Sequence, residues 1–550
     1  MVAGDLDRDI RIVVILNRDV LVAWEKECLE AVRQVAACSI VGVLNCGRGR
    51  SNRVTRLSAR IGTCAGPAAL RRCEDPSWFS GIVVDEIGHG GENVRGRIGD
   101  EEIEWIRALA PSVIVVFDCD VIDERILGVA DQGIWAFCPG DVVRYSGSPP
   151  AFWEFINNEC QVGMSLVRFT GAVEEIEIIA QAFVPVLRGS PLKTVQFVYE
   201  CGPALLRRAL LRLREERVLH AVRPVRSRRV IGKPTFRDMY LFVRAVATGA
   251  FGWFWEKAFF EYRWRIGILT PAPSLEGETE VEPEWIPGPK KGFFADPCAV
   301  PGKDDLVLVE NYERSRAKGR IDVVALPRHS AIPTRFILDS MGHLSFPQVY
   351  RVNGRLWIIP ETASFGRQLA FEVDEALVPI LPEQPTCIEG VMGVDPVFLR
   401  HDGRWWAFSS PGGASGSHLL NAFYATEFLG PYKAHAANPI VIDPRGGRSA
   451  GAVIECDGRL MRFGQALGRR YGEGIDVFAI GTLTPFVYQE RHVGHIGLKR
   501  CPGKQRGTHG IAILPWGAVI DGYELAFSWD AGIQRLKAAV QRRLVYRRIH

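Results

Sequence analysis

GVDPVFLRHDGRWWAFSS, residues 393–410, sets the reading of the second half of the chain. An apolar run at Val397, Phe398 and Leu399 is followed by a His401-Asp402-Gly403 turn. A second apolar run, Trp405 to Phe408, completes two strands joined by a hairpin. The phrase recurs at 295–309 (ADPCAVPGKDDLVLV), 346–361 (FPQVYRVNGRLWIIPE) and 450–463 (AGAVIECDGRLMRF), and more loosely at 509–527. The starts are Asp296, Phe346, Asp395, Ala450 and His509. They repeat with a period of about 50 to 60 residues, a spacing proper to propeller blades. A lone hairpin cannot bury its apolar face, so repeated hairpins must stack. The pattern predicts a β-propeller of five blades; a β-sandwich with look-alike hairpins is the alternative.

The chain has 550 residues, too many for one core, and two or three domains are expected. It is 47% hydrophobic and 24% charged, the balance of a globular protein, and its net charge of +4 gives no argument for nucleic acid. Thirteen cysteines without a Cys-x-x-Cys pair read as reduced thiols, with no metal site expected. The start, MVAGDLDRDIRIVVIL, is acidic and then only a strand's length of apolar residues, so no signal peptide is expected and the location is read as cytoplasmic.

Residues 11–16 (RIVVIL) form a β-branched run of the kind buried on both faces of a parallel sheet. A helix follows over 20–37, with Leu21, Trp24, Cys28, Val32 and Val35 at helical spacing. Further strands are read at 39–44, 81–84, 112–118 and 133–137, with helices at 101–109 and 121–130. Alternating strands and helices predict a parallel α/β domain over residues 8–190, with any ligand beyond the carboxyl ends of its strands.

GIWAFCPGDVVRYSGSPPAFWE, residues 133–154, resembles the formyltransferases that use 10-formyltetrahydrofolate. Their signature runs Asn-x-His-Pro-Ser, then Tyr-Arg-Gly and a Pro before a helix. Aligning Tyr145-Ser146-Gly147 places Ala136 on the Asn, Cys138 on the His and Pro139 on the Pro. The likeness continues through Pro149, Pro150 and Trp153 and the strand at 160–166, and Glu174 falls on the family's Asp. It implies 10-formyltetrahydrofolate as cofactor, held around Ala136, Asp141, Tyr145 and Gly147, with Cys138 and Glu174 in the catalytic positions. An Ala donates no hydrogen bond and a thiol replaces an imidazole poorly, which implies a weakened oxyanion site. Cys138 is read either as an acyl-relaying nucleophile or as a small buried residue.

Residues 191–263 are read as a basic helical connector. LLRRALLRL at 205–213 is amphipathic, and the aromatic stretch 236–262 is broken by Arg237, Asp238, Arg244, Glu256 and Lys257, too charged to span a bilayer. The basic section is read as a membrane-surface or nucleic-acid patch or as a solvated connector, and the aromatic stretch as lying on a bilayer or packing between domains, which places any peripheral membrane contact in residues 204–262.

From 264 to 540 the propeller is expected. GFFADP at 292–297, Glu310-Asn-Tyr-Glu, His343-Leu-Ser-Phe-Pro, Pro360-Glu361, Val394-Asp-Pro, Gly430-Pro-Tyr-Lys, His435-Ala-Ala-Asn438-Pro, Arg448 and Tyr471-Gly resemble the N-terminal domain of the plant glucosamine inositolphosphorylceramide transferases. That domain is in turn similar to five-bladed glycoside hydrolases, which collect three carboxylates at the mouth of the axis. The resemblance implies catalytic Asp296, Glu361 and Asp395 and substrate contacts from Glu310, Arg448, Gln465 and His509. Phe346 takes the acid position in the second repeat, and one of Trp405 and Trp406 is expected in the core with the other free to stack on a sugar.

Three functions follow as expectations. One is formyl or related acyl transfer to an amino sugar or nucleotide sugar, with the propeller recognising carbohydrate. The second is a non-catalytic carbohydrate-binding protein with a degenerate first domain. The third is a glycan-processing enzyme acting at the propeller axis.

Overall fold

The computed structural model describes residues 9–16, 21–45, 67–73, 84–86, 98–117, 123–145, 149–169, 176–216, 219, 223–225, 234–326, 334–340, 342–380, 386–413, 416–501, 506–533, 535–537 and 540. They fall into two units, Met1–Ala250 and Phe251–His550.

The first unit is built on one eight-stranded sheet. Its strands are β1 (Ile10–Leu16), β2 (Cys38–Asn45), β3 (Val84–Glu86), β4 (Val113–Val116), β5 (Ile134–Pro139), β6 (Gln161–Phe169), β7 (Ile176–Pro185) and β8 (Arg223–Val225), in the order β3-β2-β1-β4-β5-β6-β7-β8. The strands β1 to β5 are parallel, and β6, β7 and β8 run antiparallel. The parallel sheet read from the sequence is found over β1 to β5; β6 to β8 extend it in antiparallel sense, with the helix Phe152–Ile156 between β5 and β6 and the helices Pro191–Glu200 and Gly202–Glu216 between β7 and β8. The helix α1 (Ala23–Arg33) buries Trp24, Cys28, Leu29 and Val32, and α2 (Asp100–Ala108) buries Ile103 and Ile106. The helix expected over 121–130 is, in its described part, only a single 3₁₀ turn at Glu124–Ile126. Gly128, at φ 79°, takes a left-handed conformation that breaks the run just after this turn.

The connector also differs from its reading. Helices Pro191–Glu200 and Gly202–Glu216 bury Val198, Leu205, Leu206, Leu210, Leu211 and Leu213, and β8 extends the sheet. Residues 191–216 and 223–225 thus belong to the first unit, and the leucines of 205–213 are not available to a membrane. The helix Phe236–Phe259 contains no buried residue.

The second unit is a five-bladed propeller. Blade I comprises Gly292–Val300, Lys303–Glu313, Lys318–Ala325 and Thr334–Leu338; blade II comprises Ser345–Val352, Arg355–Glu361, Gln368–Val373 and Thr386–Ile388. Blade III is Val394–His401, Arg404–Ser410, Leu419–Ala425 and Lys433–Ala434. Blade IV runs from Ile454–Cys456 through Arg459–Ala466 and Gly474–Leu483 to Tyr488–Leu498, with Gly277–Val281 added in parallel. Blade V is closed by both ends of the unit: Gly517–Phe527 pairs with Ile511–Leu514 on one side and with Phe260–Leu269 on the other.

Five apolar seams close the ring. Leu308 and Ile321 of blade I pack with Val349 and Ile358 of blade II. Trp357 and Ile359 then meet Phe398 and Trp405 of blade III, and Trp406 and Phe408 meet Leu483 of blade IV. Phe463 and Val477 meet Ile511 and Ile520 of blade V, and Ile266 and Val519 return to Val307 and Val324 of blade I. Each blade buries one face against each neighbour, so the strand alternation supplies two cores per sheet. This accounts for the tryptophan pair: Trp405 and Trp406 point to opposite faces, and each face is a seam. Trp406 is 1% exposed and Trp405 8%, so the expectation that one of them stacks on a sugar is corrected.

The repeat starts share a backbone device. Asp296, Phe346 and Asp395 all adopt positive φ, at 51°, 42° and 49°. At each of them the pairing slips, between Ala295 and Cys298, Ser345 and Gln348, and Val394 and Val397. The proline that follows each cannot donate to the ladder, and a bulge with one left-handed residue turns the strand inward. Positive φ in a non-glycine residue is costly, and it is held here three times at one structural position.

Candidate functional site: the propeller axis

In the first unit, Ala136 and Cys138 lie on the same face of β5, inside a cluster with Val13, Ile15, Ile114, Val116 and Val167. Cys138 is 3% exposed. Asp141 accepts a hydrogen bond from Val143 N at 3.1 Å, and Tyr145 Oη donates to Glu159 Oε1 at 2.8 Å. Burial and Glu159 push the Tyr145 phenol up to about 12. Gly147 and Glu174 lie outside the described residues. Glu154, unnoticed in the sequence, is buried on the helix α3 (Phe152–Ile156), and burial raises its pKa to about 7.

The axis of the propeller is different in kind. The positive-φ bulges aim Asp296 and Asp395 inward, and one strand further on the second strands end at equivalent places: Ala295 pairs with Glu310, Ser345 with Glu361 and Val394 with Ser410. Gln465 holds the corresponding place in blade IV, where its N–H donates to Arg448 O at 2.8 Å. Asp296, Glu310, Glu361, Asp395, Arg448, Gln465 and His509 are therefore all brought to one centre.

The polar contacts tie neighbouring blades together. Phe346 N donates to Asp296 Oδ2 at 3.1 Å, and Asp296 N donates to Asp521 Oδ2 at 3.1 Å. Phe346 thus contributes its backbone where its side chain has no acid to offer. Asp521 Oδ1 also accepts from His509 N and Gly510 N, each at 2.9 Å. A Cβ at Gly510 would sit 2.6 Å from Asp521 Oδ2, so only glycine permits this approach. His509 Nδ1 lies 2.6 Å from Asp521 Oδ2, and His509 Nε2 lies 3.7 Å from Asp296 Oδ1. Trp264 stacks on the His509 ring with centroids 4.0 Å apart, and Tyr471 meets it edge-on at 5.1 Å. Across the centre, Arg448 forks onto Asp395, with Nε on Oδ2 and Nη2 3.3 Å from Oδ1. Gln465 Nε2 donates to Asp395 Oδ2 at 2.9 Å. Ser345 Oγ donates to Glu361 Oε2 at 3.3 Å, and His343 Nε2 lies 3.7 Å from Glu310 Oε1.

Crowding sorts these acids by proton affinity. Burial, then the charge of Asp395, raises Glu361 to about 8, and a hydrogen bond shared with Asp395 adds to the rise against the pull of Arg448. Burial raises Asp296 to about 6, with His509 pulling the other way. Glu310 is raised by burial and by the acids around it. Burial works against a charge on His509, yet the adjoining Asp521 outweighs it and the pKa is raised. The same contest ends with Arg448 held firmly charged by Asp395. Four carboxyl groups so close cannot all ionise, and the site therefore holds a proton donor beside carboxylates near neutral pH.

Asp296, His509 and Asp521 offer ligand atoms within 4.8 Å of one another, a donor set that residue spacing did not announce. Asp521 already accepts from three backbone N–H groups and Asp296 from one, so a cation there would compete with bonds that fix the bulges. Asp521, Trp264, Tyr471 and Ser345 are the members of the site missed in the sequence. The signal for Asp521 was an acid inside the apolar run AVIDG, which a buried strand does not carry without a partner. Other matching residues serve the fold: Asn438 clamps the Ala422 backbone from both sides, donating to its O at 2.7 Å and accepting from its N at 2.8 Å. His435 Nδ1 accepts from Ala437 N at 3.0 Å.

The architecture is thus that of a multidomain protein, an α/β sheet domain followed by a five-bladed propeller with an acidic axis. Residues 288–509 match the family model described as glucosamine inositolphosphorylceramide transferase 1, N-terminal. The protein of that name from Arabidopsis thaliana is 32% identical over 219 residues, covering 38% of this chain and 28% of that one. The chain spans about a third of the length of the curated relatives it matches. Among solved structures, an exo-1,5-alpha-L-arabinanase from a bovine ruminal metagenomic library aligns with 41% of this chain and 97% of that one, at 14% identity and a TM-score of 0.28. Glycinamide ribonucleotide transformylase 1 from Symbiobacterium toebii aligns with 41% of this chain and 95% of that one, at 16% identity and a TM-score of 0.29.

Proposed function

We propose that the protein processes a sugar at the propeller axis, by acid and base catalysis on a bond to an anomeric carbon. The observation that carries this reading is the pairing of Glu361, raised to about 8, with Asp395, which is forked by Arg448. In this reading Glu361 holds a proton at neutral pH and delivers it to the departing oxygen. Asp296, raised only to about 6, takes a proton from the attacking hydroxyl or water. The charge of Asp395 and the hydrogen bond shared with it keep Glu361 protonated, while Arg448 holds Asp395 in place; both are positioning residues. Indole and phenol faces at Trp264 and Tyr471 beside His509 suit a sugar ring. The names of the curated relatives support an amino sugar on an inositol-phosphate lipid as substrate class, and the donor as a nucleotide sugar if transfer rather than hydrolysis is the outcome.

The test is turnover of 4-nitrophenyl glycosides of glucosamine and N-acetylglucosamine, and of a glucosaminyl inositolphosphoryl lipid, by the full chain. Release or transfer that disappears in Glu361→Gln supports the reading. Saturable sugar binding with no turnover of any of these, unchanged in Glu361→Gln, would replace it by non-catalytic carbohydrate recognition. Formyl transfer has less behind it: the Ala136 side chain has no donor, and the buried Cys138 thiol is a weak one for an oxyanion. Titration with a folate analogue addresses this separately, since saturable binding together with formylation of an amino sugar would restore it.

A further inference from the structure

The seam between blades I and II changes character along one face. On the second strand of blade I, Leu308, Glu310 and Tyr312 alternate onto the same side, and Leu308 packs against blade II. Glu310 is buried at the axis, and Tyr312 is half-buried beyond it. That face thus runs from apolar seam to acid to aromatic ring. Across the sheet Tyr312 pairs with Phe293 on one side and with Gly319 on the other. Phe293 stacks on Tyr312 with centroids 4.8 Å apart, and His343 meets it edge-on at 6.3 Å. Three half-buried rings therefore stand in a row beside Glu310.

His343 is clamped over Gly319. Gly319 N donates to His343 Nδ1 at 2.9 Å, and Leu344 N donates to Gly319 O at 3.1 Å. A Cβ at Gly319 would run into Glu310 Oε1 and Leu344 O and sit 2.9 Å from His343 Cε1, so glycine lets the acid and the imidazole close on one spot. Because Nδ1 accepts, the proton of the neutral ring sits on Nε2. Nε2 lies 3.7 Å from Glu310 Oε1, too far for a bond between the two and near enough for one hydroxyl to reach both. Burial and the surrounding acids raise Glu310, so it meets a ligand as a carboxylic acid that both donates and accepts. Apolar ring faces beside a few fixed polar groups suit a polyhydroxylated ring, whose C–H face stacks while its hydroxyls bond.

The side of the site on which this wall stands follows from Glu361. In the sugar-processing reading of the axis, on which this inference rests, Glu361 delivers its proton to the departing oxygen. Glu361 belongs to blade II, and the wall lies on the face of blade I turned toward blade II. Trp264 and Tyr471 belong to blades V and IV, outside this seam.

We propose that Phe293, Tyr312, His343 and Glu310 form a second ring subsite for the unit on the oxygen side of the bond made or broken at Glu361, a pyranose or cyclitol ring stacked on Phe293 and Tyr312 with one hydroxyl between His343 Nε2 and Glu310.

The test compares substrates that fill this subsite with one that does not, using the full chain. A glucosaminyl inositol and a glucosamine disaccharide carry a second ring; glucosaminyl fluoride carries only a fluorine there. Tyr312→Leu keeps apolar bulk and removes the aromatic face. His343→Asn keeps an acceptor for Gly319 N and removes the Nε2 donor. Each should lower the ratio of kcat/KM on a two-ring substrate to that on the fluoride by about 3- to 10-fold, and the substrate whose ratio moves identifies the ring as cyclitol or pyranose. A fall in either variant supports the subsite; a ratio unchanged in both, whatever happens to the absolute rates, overturns it. Ring binding is read separately from chemistry by saturation-transfer NMR with myo-inositol and with methyl glucoside. If no glycoside turns over, the sugar-processing reading falls, and the subsite then stands on transfer to either ring that Tyr312→Leu weakens. Absence of transfer to both rings, or transfer unchanged in Tyr312→Leu and His343→Asn alike, overturns it.

Discussion

The strand β5 of the first unit and the second strand of blade II each carry, at or beside the last residue, a position that the sequence resemblances placed in catalysis, Cys138 and Glu361, and their surroundings are opposite. Around Cys138 the sheet supplies Val13, Ile114 and Val167, while around Glu361 the propeller supplies Asp395, Ser345 and the field of Arg448. A parallel sheet flanked by helices buries every position on both faces, so a strand residue there is apolar unless a loop brings it a partner. A propeller turns the inner strand of every blade toward one axis, so polar residues at equivalent repeat positions meet without any of them being close in sequence. Asp296 and Asp521, 225 residues apart, are joined in this way.

The sharpest way to break this comparison is Glu361→Gln. If the axis is catalytic, turnover should fall by about 10² to 10⁴-fold with folding intact, as measured in steady state; unchanged turnover removes Glu361 as the acid. Next in size is Arg448→Met, which leaves Asp395 buried without its cation and should cost about 3–5 kcal/mol in a denaturant titration. Arg448→Lys keeps the charge but not the fork and should cost less.

A pH series sharpens the same contrast. Activity needs Glu361 protonated and Asp296 ionised, which predicts a bell with limbs near pH 6 and pH 8 that belong to the coupled group as a whole. Stability carries a related signature. Glu361 binds its proton more tightly folded than unfolded, so its contribution is full below its ordinary value of 4.5 and is lost as pH rises toward about 8. Glu361→Gln should flatten that slope in thermal melts taken across this window. The smallest effect belongs to the other region: Cys138→Ala should cost about 1–2 kcal/mol as a small cavity and leave turnover at the axis unaltered. A large loss of a folate-dependent activity in that variant would instead give Cys138 a chemical role.

Much of this was legible without coordinates. The spacing of Asp296, Phe346, Asp395, Ala450 and His509 carried the blade count, because a repeat must present the same face at the same interval to stack. The roster at the axis was largely readable too, since Asp-Pro starts and strand-end Glu residues recur in register. What escaped were partnerships between repeats: Phe346 N on Asp296, Asp521 behind His509, and the seam on each side of Trp405 and Trp406. The β6–β8 reversal escaped for a similar reason, as an apolar strand reads alike in either direction.

Local pattern thus determined by itself that this chain makes an α/β sheet and then five hairpin repeats, since apolar periodicity and turn residues act over a few neighbours. Tertiary structure alone decided which acids share a proton. That depends on burial and on charges brought together across blades, and distance along the chain holds no record of either.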